Sequence, residues 1–74
     1  MASTDARPQR RLNININEYT AAALLEYRDE NGVTVTETVR RAVAMLLFVH
    51  RELRAGNRLQ IVEAGGARRD VEVL

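Results

Sequence analysis

Seventy-four residues without a cysteine, at a formal net charge of +1, allow one small domain with no disulfide and no thiolate set for a structural metal. The longest apolar run, Ala42 to Val49, is far too short to cross a bilayer, and residues 1–9 hold no apolar stretch of the secretory kind, so no membrane or secretory role is expected. A chain of this length buries too little surface to be comfortable alone, and self-association is the expected remedy.

The distribution of charge says more than its sum. All eleven basic residues are Arg; Arg7, Arg10 and Arg11 face only Asp5 near the start, whereas Glu26, Asp29 and Glu30 gather around Arg28. Residues 1–9 are small and polar, carry Pro8, and are predicted to form a flexible basic arm in which Arg7, with Arg10 beside it, can grip a phosphate backbone.

From Arg11 to Asn17 polar and apolar residues alternate without a break, which predicts a strand with two unlike faces. Leu12, Ile14 and Ile16 share the face that wants a core, while Arg11, Asn13 and Asn15 share the other. Asn is depleted in strands because its short amide competes for the backbone, so its repetition on one face gives up strand stability. Asn matches the adenine edge bidentately and Arg the guanine edge in the DNA major groove, which is wide enough for a two-stranded ribbon. Arg11, Asn13 and Asn15 are therefore the candidate base-reading residues.

Asn17 is placed to cap a helix, with Glu18 in its first turn, and the helix is predicted over 18–31 with a stripe of Thr20, Ala21, Leu24 and Tyr27; the acids and Arg28 fall mostly off it. Asn31-Gly32 supplies a left-handed stop. Thr34 and Glu37 then form a Thr-x-x-Glu capping box that opens a second helix, predicted over 35–54, with Val39, Ala42, Val43, Leu46, Val49 or His50, and Leu53 on its inner side. Between Ala42 and Val49 this helix is apolar nearly all round, which calls for a second copy of the chain to cover it.

Ala55-Gly56-Asn57 ends the second helix. Residues 58–63 and 68–74 are rich in strand formers around Ala64-Gly65-Gly66-Ala67 and are predicted to make a β-hairpin. The organisation is thus an arm over 1–9, a strand and two helices over 10–55, and an extension over 56–74.

Catalysis is not expected, because no Ser nucleophile has a base beside it and Asp29 and Glu30, adjacent on a helix, do not face each other. His50 is the sole histidine and reads as a packing or hydrogen-bonding residue, with no second ligand to complete a metal site. Tyr19 and Tyr27 are expected to pack against the core with their hydroxyls outward, and Arg40 and Arg41 to be solvated or paired with Glu37. No cofactor is expected.

The alternating Arg11-Leu12-Asn13-Ile14-Asn15-Ile16-Asn17 strand, followed by a helix and by Gly32-Val33-Thr34-Val35-Thr36-Glu37-Thr38-Val39-Arg40-Arg41-Ala42-Val43, resembles the ribbon-helix-helix (MetJ/Arc/CopG-type) family of DNA-binding proteins over about residues 10–55. The resemblance implies a mainly α fold with a short N-terminal strand, in an intertwined homodimer whose strands pair antiparallel and enter the major groove of double-stranded DNA. It implies base contacts from Arg11, Asn13 and Asn15, and a phosphate held by free backbone N–H groups at Thr34 and Val35, where the helix start is partially positive. The chain departs from the commoner pattern by carrying Asn at both 13 and 15.

The expected function is a homodimeric sequence-specific transcriptional regulator, a repressor, in the cytoplasm and associated with the nucleoid, binding cooperatively at tandem sites. An alternative is an antitoxin of a toxin pair or a plasmid partition adaptor, in which residues 56–74 meet a protein partner. A third reading is a structural dimer with no nucleic-acid role. In the extension Leu59, Ile61, Val71, Val73 and Leu74 are the residues available to dock on the chain's own helices, on another dimer or on a partner.

Overall fold

The computed structural model describes residues 9–73. The arm, apart from Gln9, and with it Arg7, lies outside the described residues, as does Leu74. In chain order the elements are α1 (Glu18–Asn31), α2 (Val35–Arg54), β1 (Gln60–Val62) and β2 (Arg68–Asp70). Both helices occupy the predicted spans.

Their ends follow from local chemistry. The Asn17 side chain accepts the Thr20 N–H at 2.8 Å, satisfying one of the donors a helix start leaves open. At the far end Gly32 adopts φ 63°, its N–H returning to the Arg28 carbonyl, and the Val33 N–H reaches the same oxygen at 3.2 Å. Thr34 Oγ1 accepts the Glu37 N–H at 3.0 Å, which is the forward half of the expected capping box. The return half is replaced, because the Glu37 carboxylate is engaged by Arg40 and Arg41, whose charges attract it more than a backbone N–H does. α2 closes with Gly56 at φ 89°, its N–H on the Leu53 carbonyl and the Asn57 N–H on the Glu52 carbonyl, the paired bonds of a Schellman end.

The expected N-terminal strand is not formed. Residues 9–17 take neither helix nor strand, and the sheet of the described residues is the β1–β2 pair, which follows the helices. The reason is that a strand exists only through ladder bonds to a neighbour, and an alternating pattern does not supply that neighbour from within the same short chain.

The hairpin does form as predicted, antiparallel, with Gln60, Ile61 and Val62 opposite Asp70, Arg69 and Arg68. Its loop closes through the Gly66 N–H to the Glu63 carbonyl at 2.8 Å and the Glu63 N–H to the Ala67 carbonyl at 2.7 Å. Gly66, at φ 96°, supplies the left-handed step that a three-residue hairpin loop needs. Gln60 Nε2 donates to Asp70 Oδ1 across the strands at 2.7 Å.

α1 packs on α2, and the side of α2 that faces it meets the predicted stripe at Ala42 and departs from it elsewhere. Thr38 and Val49, the latter on the predicted stripe, are the buried residues among those described; Thr38, Ala42 and Met45 line the groove against α1, Met45 with 64% of its surface still open, and Val39, Val43 and Leu46 are exposed outside that groove. Where a helix is apolar nearly all round, its periodicity does not select a face. Thr38 tolerates burial because its hydroxyl donates to the Thr34 carbonyl at 2.9 Å. On α1, Ala21, Leu24 and Arg28 are half-buried while Thr20 is exposed; the Arg28 guanidinium is paired with Asp29 at 2.8 Å.

One apolar residue in a buried position is not a core. The chain exposes 7392 Å², against about 4,600 Å² for a compact monomer of its mass. Even if the nine residues outside the described range are granted the full exposure of an unfolded chain, about 1,400 Å², an excess of more than about 1,000 Å² remains.

Candidate nucleic-acid interface

Arg10, Arg11, Asn13 and Asn15 are all exposed on a stretch that leads directly into the Asn17 cap, so α1 anchors the end of the segment. The opposite set is exposed as well: Leu12 at 84%, Ile14 at 72% and Ile16 at 45%. The apolar face expected to be covered is open in the single chain, because α1 and α2 pack on each other and not on it. Each polar candidate therefore stands beside an uncovered aliphatic side chain.

The second candidate element is the start of α2. Thr34 Oγ1 is occupied by the Glu37 N–H, and the Thr34 carbonyl accepts both the Thr38 N–H and its hydroxyl, each at 2.9 Å. What Thr34 can offer an anion is its position at the helix start, where the first N–H groups, Val35 among them, have no intrahelical acceptor. Glu37 would repel a phosphate there, but its two carboxylate oxygens are held by Arg40 at 3.1 Å and by Arg41 at 3.0 Å. Two cations against one anion leave the first turns of α2 with a positive balance, carried by side chains that remain largely exposed.

Arg41 is fixed from a second direction. Its Nη1 donates to the Tyr27 hydroxyl at 3.2 Å, so α1 holds the guanidinium that α2 carries. The Tyr27 hydrogen bond first, and the Glu37 carboxylate second, hold Arg41 protonated more firmly than usual. The expectation that Arg40 and Arg41 pair with Glu37 is met, while the Tyr27 hydroxyl, expected to point outward, instead accepts from Arg41. The signal for this link was faint: one residue just before the last turn of α1 and one in the second turn of α2, joined by a short Gly turn.

Among the described residues no group of three or more His, Cys, Asp or Glu is placed to hold a metal ion, and no helix is long and apolar enough to cross a membrane. Compared with protein-family models, with curated proteins and with solved structures, the chain matches none.

Proposed function

We propose that this chain is a homodimeric, sequence-specific DNA-binding regulator, acting as a repressor through a ribbon that two copies build from residues 11–17. The observation that carries this reading is the exposed Arg11, Asn13 and Asn15 set alternating with exposed Leu12, Ile14 and Ile16 immediately ahead of the α1 cap. Such a segment gains nothing in water alone. Paired antiparallel with its copy, it satisfies its ladder, covers its aliphatic face on the joined helices, and turns amide and guanidinium groups outward together. Those groups suit base edges in the major groove. Arg7 and Arg10, with the N–H groups at Thr34 and Val35, are assigned to phosphate. The surface excess of the chain supports the homodimer, since a standard interface removes about 800 Å² from each partner.

The test begins by selecting bound fragments from the host's genomic DNA. Asn13→Ala and Asn15→Ala are then titrated against the enriched site in gel shifts, each expected to lose about 1–3 kcal/mol of discrimination while keeping the helical circular dichroism of the parent. Unchanged affinity and discrimination in both variants would falsify the assignment of base readers.

A further inference from the structure

The hairpin lies outside the segment assigned to DNA, and its two faces differ. Leu59, Ile61, Val71 and Val73 fall on one face by the register and its extension, with Leu59 and Val71 half-buried and Ile61 and Val73 exposed; Arg69, opposite Ile61, and Glu63 share this face toward the loop and pair with each other at 3.6 Å. The other carries Arg58, Gln60, Arg68, Asp70 and Glu72, with Val62 as its one large apolar residue. The apolar face does not end at the hairpin. Leu59 borders a cavity of about 340 Å³ with Phe48, Val49 and Leu53 of α2, and a second cavity with Leu53 and Val71. Along the same side of α2, Val49 and Met45 continue at helical spacing into the α1/α2 groove. An apolar strip therefore runs from α1 across α2 and onto the hairpin, bordered at the junction by Glu52, Arg58, Gln60 and Asp70.

We propose that the Leu59, Ile61, Val71 and Val73 face, together with Phe48 and Leu53, is seated against α2 of a second copy of this chain, making the C-terminal hairpin a dimerisation arm. This rests on the homodimer reading above and adds where a second part of the interface lies. Three observations select a second copy over a foreign protein. The helices have no core of their own beyond Val49, so whatever covers the junction must be present whenever the chain is folded. α2 offers a second apolar side, with Val43, Leu46 and Leu47 exposed about a third of a turn round from the groove, able to receive the arm of its copy. The hairpin's charges also cancel: Arg58, Arg68 and Arg69 against Glu63, Asp70 and Glu72, with Arg58–Asp70 and Arg69–Glu63 paired internally. A surface with no net field does not select an oppositely charged partner and suits contact with its own copy.

The experiment is sedimentation equilibrium of the full chain across a wide concentration range, comparing the parent with Ile61→Glu/Val73→Glu and with Val62→Glu on the opposite face of the same hairpin. The double variant is expected to weaken the dimer by about 100-fold or more, since two aliphatic side chains lose their burial, with Val62→Glu within about threefold of the parent, as surface substitutions usually are. Equal weakening by both variants overturns the face assignment. A double variant that matches the parent overturns the arm while the homodimer stands, and a host protein then retained by the parent but not by the double variant would identify a foreign occupant. A parent that is monomeric at every concentration removes both the arm and the homodimer.

Discussion

Arg41 Nη1 lies 3.2 Å from the Tyr27 hydroxyl, so one guanidinium joins α1 to α2 while its Nε holds Glu37 at 3.0 Å. Tyr27→Phe removes the acceptor and leaves the ring in the groove. The expected result is a small fall in the urea midpoint with an unchanged slope, and a larger fall for Tyr27→Ala, which also empties the groove wall. Because the Tyr27 bond raises the Arg41 pKa in the folded chain, its contribution is complete below the guanidinium's ordinary pKa and is lost only above it. The difference between parent and Tyr27→Phe should therefore stay constant from acidic to moderately alkaline pH.

Thr34 caps α2 with its hydroxyl. Thr34→Ala is expected to cost about 1 kcal/mol of stability, read by denaturant unfolding, and Thr34→Ser to restore most of it. A Thr34→Ala variant as stable as the parent would mean that the cap contributes nothing measurable.

Gly32 turns the chain between the helices at φ 63°, with nothing within 4 Å of where a Cβ would stand. Substitution there meets backbone strain and no clash. Gly32→Ala should lose about 1–2 kcal/mol and Gly32→Asn less, since Asn visits this conformation more readily; thermal melts of the three proteins give the order.

Ile14 is 72% exposed in the single chain, where Ile14→Asp should change nothing. In the proposed dimer it is covered, and the same substitution should shift the sedimenting species toward monomer and abolish DNA binding. The two expectations are opposite, so one velocity run at micromolar concentration separates them.

Phosphate contacts displace counterions, so the affinity for duplex DNA should fall linearly on a log–log plot against salt. Arg10→Ala should reduce the steepness by about one unit of slope and leave the preferred site unchanged, in contrast to Asn13→Ala. Fluorescence anisotropy against specific and mixed duplexes measures both.

The helix spans, the Asn17 and Thr34 caps, the Gly32 and Gly56 stops and the Gly66 turn were legible from residue order because each is decided within about five positions of backbone. The inner side of α2 was legible only in part: Ala42 lines the groove and Val49 is buried as the periodicity suggests, but Thr38 and Met45 share the groove while Val39, Val43 and Leu46 lie outside it. Arg28, off the expected stripe, is likewise half-buried. For the candidate site, the sequence identified which residues carry the Arg and Asn groups, while the pairing of Glu37 with Arg40 and Arg41 was read as a helix-spacing expectation and the Tyr27 link was missed.

What the sequence by itself determined is local: where the chain turns, where it coils into helix, and which side chains alternate between Arg11 and Asn17, since hydrogen-bonding neighbours a few residues apart settle these. Only the tertiary structure decided that the alternating stretch stays unpaired in one chain, that α2 presents Thr38 and Met45 to α1, and that the hairpin's apolar face continues onto α2. Each of these depends on groups distant in sequence competing for the same surface, and no local rule ranks that competition.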